Sequence, residues 1–137
     1  MRVLFLGDIV GKAGRICVRD HMGELKAHYQ PDLIIANGEN AAHGKGITKR
    51  IYEELRGYGI DMLTMGNHTF SKHDIYNFIA DADRMVRPGN MEPLGYGSCA
   101  RVLNVCGKRV AICNLSGAIF MNHVVESPFI CMERILH

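Results

Sequence analysis

Three short stretches of this chain set oxygen donors beside glycine: Gly7-Asp8, Asn37-Gly38-Glu39-Asn40 and Gly66-Asn67-His68. Carboxylate and amide oxygens suit Mg, Mn or Fe, whereas zinc favours nitrogen or sulfur. The adjacent glycines let the backbone turn tightly and let a ligand come close. A histidine next to such oxygens can move a proton. Taken singly the stretches are less specific. Asx-Gly steps are ordinary turn chemistry, Asp8 would equally cap a following helix, and a loop histidine such as His68 is often merely solvated. Glu39 is the hardest to explain as structure, because a carboxylate in a glycine loop packs against nothing.

The elements that must position these residues follow from the apolar pattern. Arg2 to Leu6 (RVLFL), Asp32 to Ala36 (DLIIA) and Asp61 to Met65 (DMLTM) are short apolar runs, each stopping at one of the polar stretches. Buried parallel strands end this way. Between them, helices are expected from about Gly14 to Tyr29, ended by Pro31, and from an N-cap at Thr48 to about Tyr58 with Ile51 and Leu55 inward. A third helix is expected from an N-cap at Ser71 to about Ile79. The series is βαβαβα, so the fold class is α/β with a parallel sheet. Open α/β sheets bind ligands beyond the carboxyl ends of their strands, where Asp8, Glu39, Asn40, Asn67 and His68 all fall. After about Ala82 the pattern changes to loop. Cys99 to Cys106 and Arg109 to Leu115 then flank Gly107-Lys108 as a hairpin, and a short helix closes the chain around Met132 to Leu136.

Composition bounds the function classes. With 137 residues, 47% hydrophobic and 22% charged, one compact domain over 1–137 is expected, neither disordered nor fibrous. The net charge of +2 is spread along the chain, so no strong general nucleic-acid surface is expected. The N-terminal apolar run is too short for a secretory signal, and no stretch approaches the ~20 apolar residues of a membrane span. A cytoplasmic location with no membrane partner is the expectation. The five cysteines are odd in number and lack C-x-x-C spacing, which reads as reduced thiols.

The segments FLGDIVGKAGR, IIANGENAAHGKGIT, MGNHTF, RPGN and GKRVAICNLSGAIFM, in this order, resemble the calcineurin-like metallophosphoesterases and, within them, the YmdB-like group of bacterial phosphodiesterases. The resemblance runs from Met1 to about Met121 and covers about half of a family enzyme. It implies an αββα sandwich, of which this chain is the N-terminal βαβαβα half plus a β-hairpin. It further implies two divalent ions, Fe, Mn or Mg, with Asp8 on the first metal and Glu39 bridging. Asn40 would complete the first-metal contacts, and Val10 occupies the D-x-H position where other metallophosphoesterases have a histidine. Asn67 would bind the second metal, and His68 would stand beside the phosphate as general acid or transition-state stabiliser. The implied reaction is hydrolysis of a small phosphodiester, including cyclic nucleotides such as 2′,3′-cyclic monophosphates, by a metal-activated hydroxide.

One part of the family pattern is not in these residues. Family enzymes take three further histidines from their C-terminal half, two of them in a Gly-His-x-His loop, and no such loop occurs here. The remaining histidines, His21, His28, His43, His73, His123 and His137, do not recreate that spacing. The expected protein partners are therefore a complementing C-terminal half or a second copy of the chain. The alternative function is a non-catalytic module binding a nucleotide or a partner through the same loops. A Rossmann or P-loop site is disfavoured, since the glycines of Gly7 to Gly14 do not spell G-x-G-x-x-G and no Lys-Ser/Thr pair follows.

Overall fold

The structure, a computed structural model, describes residues 1–137. Four strands, β1 (Val3–Leu6), β2 (Leu33–Asn37), β3 (Met62–Thr64) and β4 (Met85–Val86), form a parallel sheet in the order β1-β2-β3-β4. Helix α1 (Gly11–Tyr29) joins the first pair and α2 (Lys49–Gly57) the second. A separate antiparallel hairpin, β5 (Ala100–Val105) and β6 (Lys108–Cys113), is followed by α3 (Pro128–Leu136). The expected α/β architecture is present.

The alternation of side chains along the strands divides the core into two layers. Ile34, Ala36 and Leu63 face α1 and α2 in a cluster of 17 buried residues that includes Met22, Ile51 and Leu55. Leu33, Ile35, Met62 and Val86 face the other way and pack on Val105 and Ile112 of the hairpin. On β1 the same alternation turns Leu4 and Leu6 toward the helices, while Val3 (48%) and Phe5 (54%) stay exposed. The hairpin thus covers β2 to β4 and leaves that face of β1 bare.

Several boundaries differ from the sequence expectation. Helix α1 starts at Gly11 rather than Gly14 and has no side-chain cap, so Asp8 is not a capping residue. The Gly11 N–H donates to the Asn40 carbonyl at 2.9 Å instead, which satisfies one of the helix's free donors from the next loop. Thr48 does cap α2, accepting from the Ile51 N–H at 3.4 Å. The helix expected over Ser71 to Ile79 is a 3₁₀ segment, His73–Asn77, without a side-chain cap. Asp74 lies in its first turn but accepts from the Lys49 N–H at 2.8 Å, adding to the start of α2 rather than to its own segment. With Ile75, Phe78 and Ile79 all buried, a tight turn meets the core where a longer α-helix would overshoot. The short strand β4 and the first turn of α3, with Pro128 at its start, were not expected.

The hairpin turn lies one residue earlier than expected, at Cys106-Gly107, because Val105 pairs with Lys108. Both turn residues have positive φ, 49° and 74°, as the right-handed twist of a two-residue hairpin requires.

The layers are fastened by polar groups. Asn90 is fully buried; its amide donates to the carbonyls of Ser116 (2.7 Å) and Glu126 (3.1 Å), and its oxygen accepts from the Ser116 N–H (2.8 Å). Arg87, 6% exposed, donates to the carbonyls of Tyr96, Pro88 and Met91, and burial holds its guanidinium below the usual arginine range. Asn114 reaches from the end of β6 to the carbonyls of Met65 (2.5 Å) and Val86 (3.2 Å). No helix is long and apolar enough to cross a membrane. Replacing Asn90 with Ala strands buried backbone groups of Ser116 and Glu126, each costing roughly 1–3 kcal/mol. Urea denaturation of Asn90→Ala is expected to show a midpoint lowered in proportion; an unchanged midpoint would show that water replaces the side chain.

Candidate active site

Backbone hydrogen bonds lock the three polar loops together before any side chain is considered. The Ile9 N–H donates to the Asn37 carbonyl at 3.1 Å, and the Gly38 N–H to the Thr64 carbonyl at 3.0 Å. Loop one therefore rides on loop two, and loop two on the end of β3. Within the third loop, the Thr69 hydroxyl, nearly buried, closes the turn onto the Gly66 carbonyl at 2.6 Å. Asp8 has φ 35°, a left-handed conformation that costs a non-glycine residue energy.

Four of the five expected site residues are joined by side chains. The Asn40 amide donates to Asp8 Oδ1 at 2.7 Å, and Asn40 Oδ1 lies 2.6 Å from His68 Nδ1. The His68 backbone N–H donates to Glu39 Oε2 at 3.0 Å, and that oxygen is 4.0 Å from His68 Nδ1. An ionised carboxylate only accepts, so Asp8 forces the Asn40 NH₂ toward itself. The Asn40 oxygen must then face the imidazole, and the imidazole must present a proton on Nδ1. Nε2 is the nitrogen left for substrate. Asn67 shares no hydrogen bond with the other four; it is exposed and lines an adjoining cleft.

Neighbouring groups hold loop two from outside. Arg15 donates to the Ala41 carbonyl at 2.6 Å and to Glu54 at 3.0 Å. Burial alone would raise the Glu54 carboxyl, but hydrogen bonds from Tyr58 and Arg15 outweigh it and hold the group below the usual glutamate range. Arg15, Arg87, Asn90 and Asn114 are the structural polar residues that spacing did not single out. RPGN and NLSG contain three of the partners, but their pairing spans too much sequence to be read from either segment.

The donor set suits a divalent cation. Glu39 has a side chain 17% exposed, yet no lysine or arginine pairs with it or with Asp8. Its carboxylate is seated against the backbone of Gly66, where an added Cβ would collide with it. Asn37 Oδ1 is buried without a hydrogen-bond partner. Half-buried, uncompensated oxygens of this kind fit a hard cation. No three His, Cys, Asp or Glu side chains converge closely enough to enclose an ion, so the shell offered by this chain is open.

A family model described as YmdB-like protein matches residues 4–137. The chain belongs to the YmdB-like family. It is 42% identical over 136 residues to the 2′,3′-cyclic-nucleotide 2′-phosphodiesterase of Bacillus subtilis, covering 99% of this chain and 51% of that protein. Among solved structures, a phosphatase from Mycoplasma pneumoniae superposes with TM-score 0.88 at 34% identity, over 98% of this chain and 50% of the other. A Thermus thermophilus protein matches with TM-score 0.88 at 38% identity, over 99% and 52% of the two chains. The YmdB-like chain thus spans about half the length of the relatives it matches.

In this YmdB-like chain the polarity of the Asp8-Asn40-His68 sequence is directly measurable. Long-range ¹⁵N NMR of neutral His68 is expected to show the proton on Nδ1, and Asn40→Ala is expected to move it largely to Nε2, the commoner site in an unconstrained imidazole. An Nε2–H tautomer in the parent protein would contradict this hydrogen-bond order.

Proposed function

We propose that this chain carries the oxygen-donor half of a phosphodiesterase centre acting on small phosphodiesters, cyclic nucleotides such as 2′,3′-cyclic monophosphates among them. The observation that carries the reading is the hydrogen-bonded set Asp8, Asn40, His68 and Glu39 at the carboxyl edge of the parallel sheet. The name of the Bacillus subtilis relative supports the cyclic-nucleotide substrate.

Asp8 and Glu39 would hold divalent cations, two in the full centre, with the amide oxygens of Asn40 and Asn67 as further donors; Fe, Mn or Mg suits such oxygens. Bound there, the cations would supply Lewis acidity toward the phosphoryl oxygens and toward water. The Asn40 oxygen has two lone pairs, so accepting from His68 Nδ1 leaves one for a cation. His68 works through Nε2. With Nδ1 held by Asn40, the ring is oriented, and a protonated Nε2 can donate to the ester oxygen that leaves when a P–O bond breaks. Glu39 is seated against the bare Gly66 backbone, with Oε2 4.0 Å from His68 Nδ1. The nitrogen donors that complete such a centre would come from a complementing half or a second copy.

A second reading is favoured by the open shell: a module that binds nucleotide through the same loops without tight cation uptake. Calorimetric titration with Mn²⁺ separates the two. The test of the first reading is hydrolysis of bis-p-nitrophenyl phosphate and 2′,3′-cyclic AMP by the Mn²⁺-loaded chain. His68→Ala is expected to lose about 10²–10⁴-fold in rate, as removal of a general acid does, and Glu39→Ala to fall to background. Equal rates in parent and variants would remove the catalytic reading.

A further inference from the structure

Next to Asn67, the residue before His68, lies a cleft of about 460 Å³ whose walls are Phe70, Tyr76, Met91 and Pro93, with Glu92 also lining it. Its size is in the range of small-ligand sites. Phe70 and Tyr76 stack with centroids 5.4 Å apart and planes 29° apart. Tyr96 stands edge-on to both, 5.1 Å from Tyr76 and 6.3 Å from Phe70. Three aromatic rings in mutual contact normally close a core, yet Tyr76 is 37% and Tyr96 46% exposed. The Tyr76 hydroxyl has no hydrogen-bond partner within the chain. Exposed rings on a pre-built stack are what a flat aromatic ligand needs, since the platform is ordered before the ligand arrives.

We propose that this cleft is a nucleobase subsite, and that Glu92 makes it prefer guanine. The proposal rests on the phosphodiesterase reading for the placement of the phosphate and goes beyond it in naming what binds next to it. Asn67 lines the cleft and precedes His68, so a nucleotide with its phosphate at His68 has the aromatic walls beside its sugar and base. Glu92 is exposed and forms no salt bridge, and His123 lines the same cleft. A carboxylate repels phosphate, so its use in this cleft is to accept hydrogen bonds. Guanine alone among the common bases offers two adjacent donors, N1–H and the N2 amine, to the two oxygens of one carboxylate. Adenine and cytosine offer a single amine, which a carboxylate accepts less well.

The test uses the full chain labelled with ¹³C-methyl methionine, because the Met91 methyl group in the cleft wall would feel the ring current of a stacked base. Titration with guanosine 3′-monophosphate is expected to shift the Met91 signal, and ribose 5-phosphate is expected to leave it in place. Guanosine 3′-monophosphate should bind about ten-fold more tightly than adenosine 3′-monophosphate. Tyr76→Ala, and Tyr76→Leu as a bulkier check on folding, should weaken both nucleotides about ten-fold, in line with the loss of one stacking face. Glu92→Gln, at an exposed position, should erase the preference between bases while keeping the Met91 shift. Equal affinity for ribose 5-phosphate and the nucleotides, or binding without a Met91 shift, or no binding of either, overturns the subsite. Hydrolysis of bis-p-nitrophenyl phosphate, which has no base, scores the phosphodiesterase reading separately. If that activity is absent while the Met91 shift persists, the subsite stands and the catalytic reading falls.

Discussion

A carboxylate can accept hydrogen bonds but not donate them, and that one property of Asp8 sets the direction of everything beside it. Asn40 could otherwise present either end of its amide to His68. With its NH₂ drawn to Asp8 at 2.7 Å, the oxygen faces the ring, and the ring is committed to Nδ1–H. Hydrogen-bonded chains gain by such agreement along their length, because each bond polarises the next, more so at the part-buried Asn40–His68 end than at exposed Asp8. The geometry is affordable only because the backbone has already joined the loops. The Ile9-to-Asn37 and Gly38-to-Thr64 bonds fix where Asp8, Glu39 and Asn40 emerge, whatever the side chains do.

The second layer holds the same edge from the opposite face. Asn114 donates to the carbonyl of Met65, immediately before the loop that carries Asn67 and His68, and to that of Val86 at the end of β4. Asn90 ties the segment after β4 to Ser116 and Glu126. Arg87 places a guanidinium among three carbonyls instead of a carboxylate, so its charge is hydrogen-bonded but not neutralised. That arrangement is costly unless all three acceptors stay in place. The polar fasteners therefore make the position of the third loop depend on the hairpin, although no hairpin residue belongs to the site.

What could be read from the sequence was what local pattern determines. Runs such as DLIIA and DMLTM announce buried strands, and the polar residues that follow them had to lie at one sheet edge, so Asp8, Glu39, Asn40 and His68 were placed without coordinates. Thr48 was legible as a cap because capping is a matter of three residues. The hairpin was legible too, but its turn was misplaced by one, since whether Cys106 or Lys108 adopts positive φ is decided by which residues pair. The 3₁₀ segment at His73–Asn77 was missed because Asp74 bonds to Lys49, 25 residues away. Asn90, Asn114 and Arg87 were invisible as fasteners for the same reason: their partners are backbone groups that sequence does not mark. The cleft formed by Phe70, Tyr76 and Met91 arises only when β4 brings its following loop beside the third strand end.

The donors do not stand on equally firm ground. Glu39 follows β2, a central strand with both faces covered, whereas Asp8 follows β1, an edge strand paired on one side only. Val3 and Phe5 on β1 are exposed, and burying such side chains is worth about 1.5–3 kcal/mol each. Local opening should therefore reach β1 before β2 or β3. When β1 loosens, Asp8 withdraws, Asn40 loses the partner that orients it, and His68 loses its fixed tautomer while Glu39 stays in place. Whatever covers Val3 and Phe5 would strengthen the polarity of the site without touching any of its residues, since the only link required is the strand that carries Asp8.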